Sequence, residues 1–155
     1  MKGAMEIQVN SEAELNAFGV RMGTMLSGGE AIELIGDVGA GKTTLTKAVA
    51  AGMGIDGTIS SPSYTLSQTY EAPSGLRLVH YDFYRLDDAG ILAQDLEEML
   101  SDLSTVVIVE WGGIVENVLP EDCVRITITP VSETARRIHL AAGGEKSQTL
   151  LEKIV

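Results

Sequence analysis

The run Gly36-Asp37-Val38-Gly39-Ala40-Gly41-Lys42-Thr43 has the residue types and spacing to hold phosphate. It meets G-x-x-x-x-G-K-[ST] at every fixed position. Glycines let the backbone turn so that successive N–H groups, among them those of Asp37, Gly39, Ala40 and Gly41, point at phosphate oxygens. A helix starting at the end of the run adds the positive end of its dipole. Lys42 is long enough to reach the β- and γ-phosphates, the Thr43 hydroxyl suits Mg²⁺, and Thr44 can touch the α-phosphate. The expected ligand is ATP with Mg²⁺.

A magnesium-nucleotide site also needs a carboxylate, usually at the end of a neighbouring buried strand. Thr105-Val106-Val107-Ile108-Val109 is a β-branched run that ends on Glu110, the first choice as a Mg²⁺ or water ligand. Asp82, in Val79-His80-Tyr81-Asp82-Phe83-Tyr84-Arg85, is the second choice. It is either placed for chemistry or paired with Arg85. His80 shares a strand face with Asp82 and reads as a structural histidine. Trp111, directly after Glu110, reads as packing.

Such side chains need a scaffold, and the local patterns supply one. Ser11-Glu12-Ala13-Glu14 has the form of a capping box. Leu15, Phe18, Met22, Met25 and Leu26 follow at helical spacing, and Gly28-Gly29 closes the segment. Ala31 to Ile35 reads as a buried strand running straight into Gly36, and Thr43 to Met53 as a helix stopped by Gly54. That strand–turn–helix context sets the phosphate run apart from a chance match. Tyr64 to Tyr70 and Leu76 to Tyr84 read as a hairpin about Pro73-Ser74-Gly75. Asp87 to Leu103 is acidic and helical with breaks. Val124 to Thr129 and Arg137 to Ala141 are strands, and a weak helix starts at Glu145. The order predicts an α/β chain of the P-loop NTPase fold: a central mixed, largely parallel sheet flanked by helices, with antiparallel strands. Residues 1–155 are expected to form one domain, because no linker interrupts them.

Composition limits the partners. The net charge is −11, and the basic residues are scattered, with Arg136-Arg137 the only adjacent pair. A protein that grips nucleic acid by itself normally shows a basic patch, so direct capture of tRNA is not expected. No apolar run approaches the ~20 residues that cross a bilayer, and the first residues do not read as a secretory signal. Cys123 is the single cysteine, which leaves no intramolecular disulfide and no cysteine cluster for zinc. Together these suggest a cytoplasmic protein.

Four segments in order, Gly36 to Thr44, Ser61-Pro62-Ser63-Tyr64-Thr65, His80-Tyr81-Asp82-Phe83-Tyr84-Arg85-Leu86 and Glu110-Trp111, strongly resemble the bacterial TsaE (YjeE) family. The resemblance extends over nearly the whole chain. It implies an ATPase of tRNA threonylcarbamoyladenosine biosynthesis that works with TsaD and TsaB. In that system TsaD transfers the threonylcarbamoyl group to adenosine 37 of tRNAs reading codons that begin with A, while the ATPase supports turnover of the complex. By the same resemblance, residues 61–65 form a switch that senses the γ-phosphate, in which Ser63 or Thr65 could meet Mg²⁺ or the attacking water; the plain reading is a Ser-Pro turn opening a strand. Arg136 and Ser11 match positions near the nucleotide, and each also has a plain structural reading, as a surface charge and a helix cap. The chain departs from the family pattern at Ser63, where threonine is common, and at Gly112-Gly113. The rival readings are a small-molecule kinase on the same fold, for which no lid insertion is visible; a GTP switch, for which no [NT]-K-x-D segment is present; and a nucleotide-dependent binding module with negligible hydrolysis.

Overall fold

The computed structural model describes residues 3–37, 39–57, 67–84, 86–88 and 90–154. Ser63 and Thr65 of the expected switch, and Arg85, lie outside the described residues.

Seven strands form one sheet: β1 (Gly3–Val9), β2 (Ala31–Ile35), β3 (Ser67–Glu71), β4 (Arg77–Asp82), β5 (Thr105–Glu110), β6 (Val124–Pro130) and β7 (Arg136–Ala142), in the order β1-β7-β6-β2-β5-β4-β3. The four inner strands β6, β2, β5 and β4 run parallel, and the outer pairings β1–β7, β7–β6 and β3–β4 are antiparallel. Every residue of β5 is buried, as its unbroken apolar run requires of a strand covered on both faces.

Helices α1 (Glu12–Met25), α2 (Lys42–Gly52) and α4 (Glu145–Ile154) contribute to the larger apolar cluster, where Phe18, Met22, Leu45, Val49 and Leu151 gather with Ile32, Leu34, Ile126 and Ile138. Helix α3 (Ile91–Leu100) covers Val79, Tyr81, Val107 and Val109 on the opposite face through Leu96. The Tyr81 phenol donates to Asp95 Oδ2 at 2.6 Å, which ties β4 to α3. Burial, then that bond, pushes the phenol far above its ordinary pKa.

The N-terminal strand β1 is the main element the sequence reading passed over. Its pattern is alternating, with Met5, Ile7 and Val9 turned toward the core and Ala4, Glu6 and Gln8 exposed. The capping box at α1 forms with one shift. Glu14 N donates to Ser11 Oγ at 3.1 Å, but the Glu14 carboxylate accepts from Asn10 N, one residue earlier than the usual return. Within the acidic segment helix α3 runs from Ile91 to Leu100: Gly90 at φ 56° is its N-cap, and Asp102 turns the chain toward β5 by accepting from Ser104 N.

Helices α1 and α2 approach so closely that their contact needs glycine. A Cβ on Gly23 would lie 2.2 Å from the Val49 carbonyl oxygen, and one on Gly52 would lie 2.2 Å from that of Val20. Alanine at position 23 gains about 1 kcal/mol of helix propensity. It also drives a methyl into a backbone carbonyl that cannot swing away, an overpacking cost of about 1–3 kcal/mol. The clash should win. Gly23→Ala is expected to lower the thermal midpoint by several degrees in a calorimetric scan, and an unchanged midpoint would show that the helices separate freely.

Candidate functional site

Strand β2 ends at Ile35, and the chain enters the phosphate run through Gly36. A Cβ on Gly36 would press to 2.9 Å from the Ile128 carbonyl oxygen. Ala40 N donates to Asp37 O at 3.0 Å, closing a turn. Gly39 and Gly41 stand at φ 84° and 117°, backbone that side-chain-bearing residues rarely adopt. Gly41 is the N-cap of α2 and offers no side-chain acceptor, and no acid stands in the first turn. The leading N–H groups of the helix therefore carry their partial positive charge without a side-chain partner at the cap, which is the arrangement that binds phosphate. Thr43 is exposed there and Thr44 half-exposed.

Lys42 is buried, with 6% exposure. Its ammonium donates to the Gly36 carbonyl at 2.6 Å, stands 3.9 Å from Glu110 Oε1 and lies 4.0 Å from the centre of the Trp111 ring. The lysine thus curls back on its own loop, and to reach phosphate it must exchange the Gly36 carbonyl for phosphate oxygens. Trp111 packs against the α3-side apolar cluster, as expected, and also faces the lysine as a cation–π partner, with its ring 4.8 Å from that of Tyr84 and tilted by 45°. Its backbone is left-handed at φ 57°, the one such non-glycine residue among those described. A Cβ on Gly112, the next residue, would lie 2.9 Å from Glu33 Oε2 and 3.1 Å from Val109 Cγ1, so a larger residue there would have to displace the Glu33 carboxylate.

Parallel register sets the carboxylates abreast. Leu34 pairs with Glu110, and Glu110 with Asp82, so the two acids end β5 and β4 beside the loop that ends β2. Both are buried, at 4% and 5% exposure. Asp82 Oδ1 accepts from Tyr84 N at 3.0 Å. Glu110 Oε2 meets His80 Nε2 at 2.6 Å, so His80 is a direct partner of the first-choice acid. The signal for it was present: His80 lies two residues before Asp82, on the same strand face, but the β4–β5 register that joins it to Glu110 is not written in either segment alone.

Among the described residues, no group of three or more His, Cys, Asp and Glu is arranged to hold a metal ion. Magnesium does not require one. It takes oxygen ligands, commonly one or two protein carboxylates completed by phosphate oxygens and water. The Thr43 hydroxyl with Glu110 and Asp82 has that chemistry.

Arg136 does not extend freely toward a ligand. Its Nε donates to the Ala40 carbonyl at 2.9 Å, and its Nη1 to the carbonyls of Ser132 and Ala135 at 3.0 and 2.9 Å. It clamps the phosphate loop to the β6–β7 turn. Ser11, besides capping α1, borders a cleft of ≈ 290 Å³ together with Gly39, Gly41, Thr44, Thr134 and Arg136. A second cleft, ≈ 240 Å³, opens between Lys42, Trp111, Gly36 and Ile35. Another cleft, ≈ 430 Å³ and lined by Glu30, Asp122 and Lys146, lies at the opposite end of β2, away from the glycine-rich loop.

Residues 9–138 match the family model "Threonylcarbamoyl adenosine biosynthesis protein TsaE". The tRNA threonylcarbamoyladenosine biosynthesis protein TsaE of Streptomyces coelicolor is 36% identical over 87% of this chain and 95% of its own length. The protein of the same name from Bacillus subtilis is 35% identical over 81% and 78%. The crystal structure of Bacillus subtilis YdiB superposes with a TM-score of 0.82 at 28% identity, over 99% of this chain and 95% of that one.

The Arg136 clamp makes a prediction of its own. Arg136→Ala removes a charge-assisted donor from the Ala40 carbonyl, which should loosen the turn. Hydrogen exchange by mass spectrometry is expected to show faster exchange in residues 39–42, with α3 unaffected. Equal protection in the two proteins would show that the glycine-rich loop holds its shape without the arginine.

Proposed function

The chain belongs to the TsaE family of threonylcarbamoyl adenosine biosynthesis proteins, and within that pathway we propose that it acts as a magnesium-dependent ATPase supporting TsaD and TsaB. One observation carries this reading: the uncapped N-terminus of α2, with Lys42 at its head, opens beside the carboxylates that end β4 and β5. That juxtaposition suits a triphosphate and a divalent cation together.

On this reading ATP lays its phosphates along the backbone N–H groups from Gly39 to Thr44. Lys42 leaves the Gly36 carbonyl and bridges the β- and γ-phosphates. Thr43, Glu110 and Asp82 are the groups that would hold Mg²⁺, which supplies charge neutralisation to the transferring phosphoryl group when bound. A carboxylate among these orients the attacking water. The oxygen of that water bonds to the γ-phosphorus, the bond from that phosphorus to the β–γ bridging oxygen breaks, and the water's proton leaves through the carboxylate to solvent. ADP and phosphate are the products. Arg136 acts on the shape of the loop by fixing Ala40.

The pathway role extends to threonylcarbamoylation of adenosine 37 in tRNAs that read codons starting with A, in the cytoplasm. The net charge of −11 favours docking on a basic protein face and leaves tRNA contact to the complex.

Two experiments test the reading. Lys42→Ala should abolish or severely weaken ATP binding in calorimetry, whereas Glu110→Gln and Asp82→Asn should keep much of the affinity and lose hydrolysis, because phosphate contacts dominate binding and the carboxylates act mainly on the transition state. Unchanged affinity in a folded Lys42→Ala protein removes the phosphate-loop assignment. The second is steady-state ATPase of the chain alone and mixed with TsaD and TsaB. Arg136 is committed to backbone carbonyls of the loop and the β6–β7 turn, so stimulation by a partner is expected; groups supplied in trans give gains of ~10³–10⁵ in GTPases. A mixture no faster than its parts refutes the partner claim.

A further inference from the structure

His80 is 1% exposed, and its Nε2 lies 2.6 Å from Glu110 Oε2. Its Nδ1 is buried without a hydrogen-bond partner among the described residues. A buried imidazole with one nitrogen unsatisfied is a poor choice for packing alone, since an apolar side chain of similar volume would avoid the desolvation of that nitrogen. The histidine sits on the face of β4 that carries Leu78 into the apolar cluster, and its only polar partner among the described residues is the carboxylate at the tip of β5.

The rest of Glu110 explains what such a partner achieves. Its backbone carbonyl accepts from Phe83 N at 3.1 Å, which fixes the main chain. Its other carboxylate oxygen, Oε1, is 3.9 Å from the Lys42 ammonium, beyond hydrogen-bond reach although both groups are buried. Two opposite charges this close in a poorly hydrated site should collapse into a tight pair unless something holds one back. Lys42 is held by Gly36 O at 2.6 Å and by the Trp111 face, Glu110 by His80.

We infer that His80 is a positioning residue that tethers the Glu110 carboxylate through Oε2 and so keeps Lys42 available for phosphate. The inference rests on the nucleotide reading of the site. With the tether in place, Oε1 stays directed at the metal and water position while the lysine exchanges carbonyl oxygen for phosphate oxygen. Without it, the carboxylate turns to Lys42, competes with ATP for the ammonium and abandons its own position.

The test compares His80→Gln, whose amide nitrogen reaches the place of Nε2, with His80→Asn, whose amide stops near the place of Nδ1. The glutamine variant should bind ATP as the unaltered chain does. The asparagine variant should bind ATP about tenfold more weakly, the effect of one strengthened ion pair, and lose hydrolysis further in kcat. His80→Asn combined with Glu110→Gln should bind ATP as well as Glu110→Gln alone, because a neutral amide does not hold the lysine, yet remain slow. A merely structural histidine predicts no such recovery, and a double variant as weak as His80→Asn overturns the tether. A readout free of site variants is the imidazole N–H resonance of His80, assigned with a His139→Gln protein. It should persist when ATP binds, and its loss on binding overturns the inference even if the asparagine variant does not fold. Absence of ATP binding by the unaltered chain removes the nucleotide reading itself, whereas normal binding that His80→Asn leaves unchanged removes only the tether.

Discussion

The parallel register of β2, β5 and β4 is the constraint on which the site depends. Leu34, Glu110 and Asp82 are laid abreast by it. Side chains alternate across a sheet, so a slip of one residue in β5 would carry Glu110 to the α3 face and bring Val109 to the α2 face. The slip is opposed by burial on both sides. Val106 and Ile108 belong to one apolar cluster, and Val107 and Val109 to the other. The apolar residues of β5 therefore do more than fill the core, because their alternation between two covered faces fixes which way the last residue points.

Polar groups at the end of such a sheet are expensive. Lys42, His80, Asp82 and Glu110 are all buried, and each would destabilise the fold if it stood unpaired. Their pairing is arranged so that one member can leave. Trp111 in a left-handed conformation costs on the order of 1 kcal/mol or more, and its ring returns part of that through the Lys42 ammonium. The tight contact of α1 with α2 works in the same direction. Leu15 of α1 lies where a Cβ on Gly41 would approach to 3.0 Å, so the helix that packs the core also braces the phosphate loop.

Much of this was legible in the chain because it is local. The phosphate run, the Ala31–Ile35 strand before it, the capped α1 and the buried β5 each depend on residues within a few positions of one another. What escaped depends on pairing between distant segments. The β1 alternation becomes a strand by pairing with the distant β7, as in Gly3 with Ala142. Arg136 matched a position near nucleotide, yet it is bound to Ala40 through a contact that no spacing rule encodes. A strand histidine and a strand-end tryptophan read as structure and packing, and Trp111 does pack against the α3-side cluster, but neither pattern shows the further contacts that His80 makes with Glu110 and Trp111 with Lys42. Their place in the site comes from the β4–β5 register and from the backbone turn at φ 57°.

The lysine links these points. Its three contacts differ in kind: a neutral carbonyl, a ring face and a carboxylate beyond bonding distance. None is a close ion pair, so exchanging them for phosphate oxygens costs less than breaking a buried salt bridge. A phosphate oxygen bearing negative charge is a stronger acceptor than the Gly36 carbonyl. The balance therefore favours exchange as soon as a polyphosphate reaches the α2 N-terminus. Departure of Lys42 also removes the cation beneath Trp111, and the strained residue loses one of the contacts that offset its conformation. If the chain binds nucleotide as proposed, the lining of the ≈ 240 Å³ cleft that Lys42 and Trp111 share with Gly112 and Gly113 would change with it. A partner that recognised this cleft would be reading the lysine's position, and through it the occupancy of the phosphate loop.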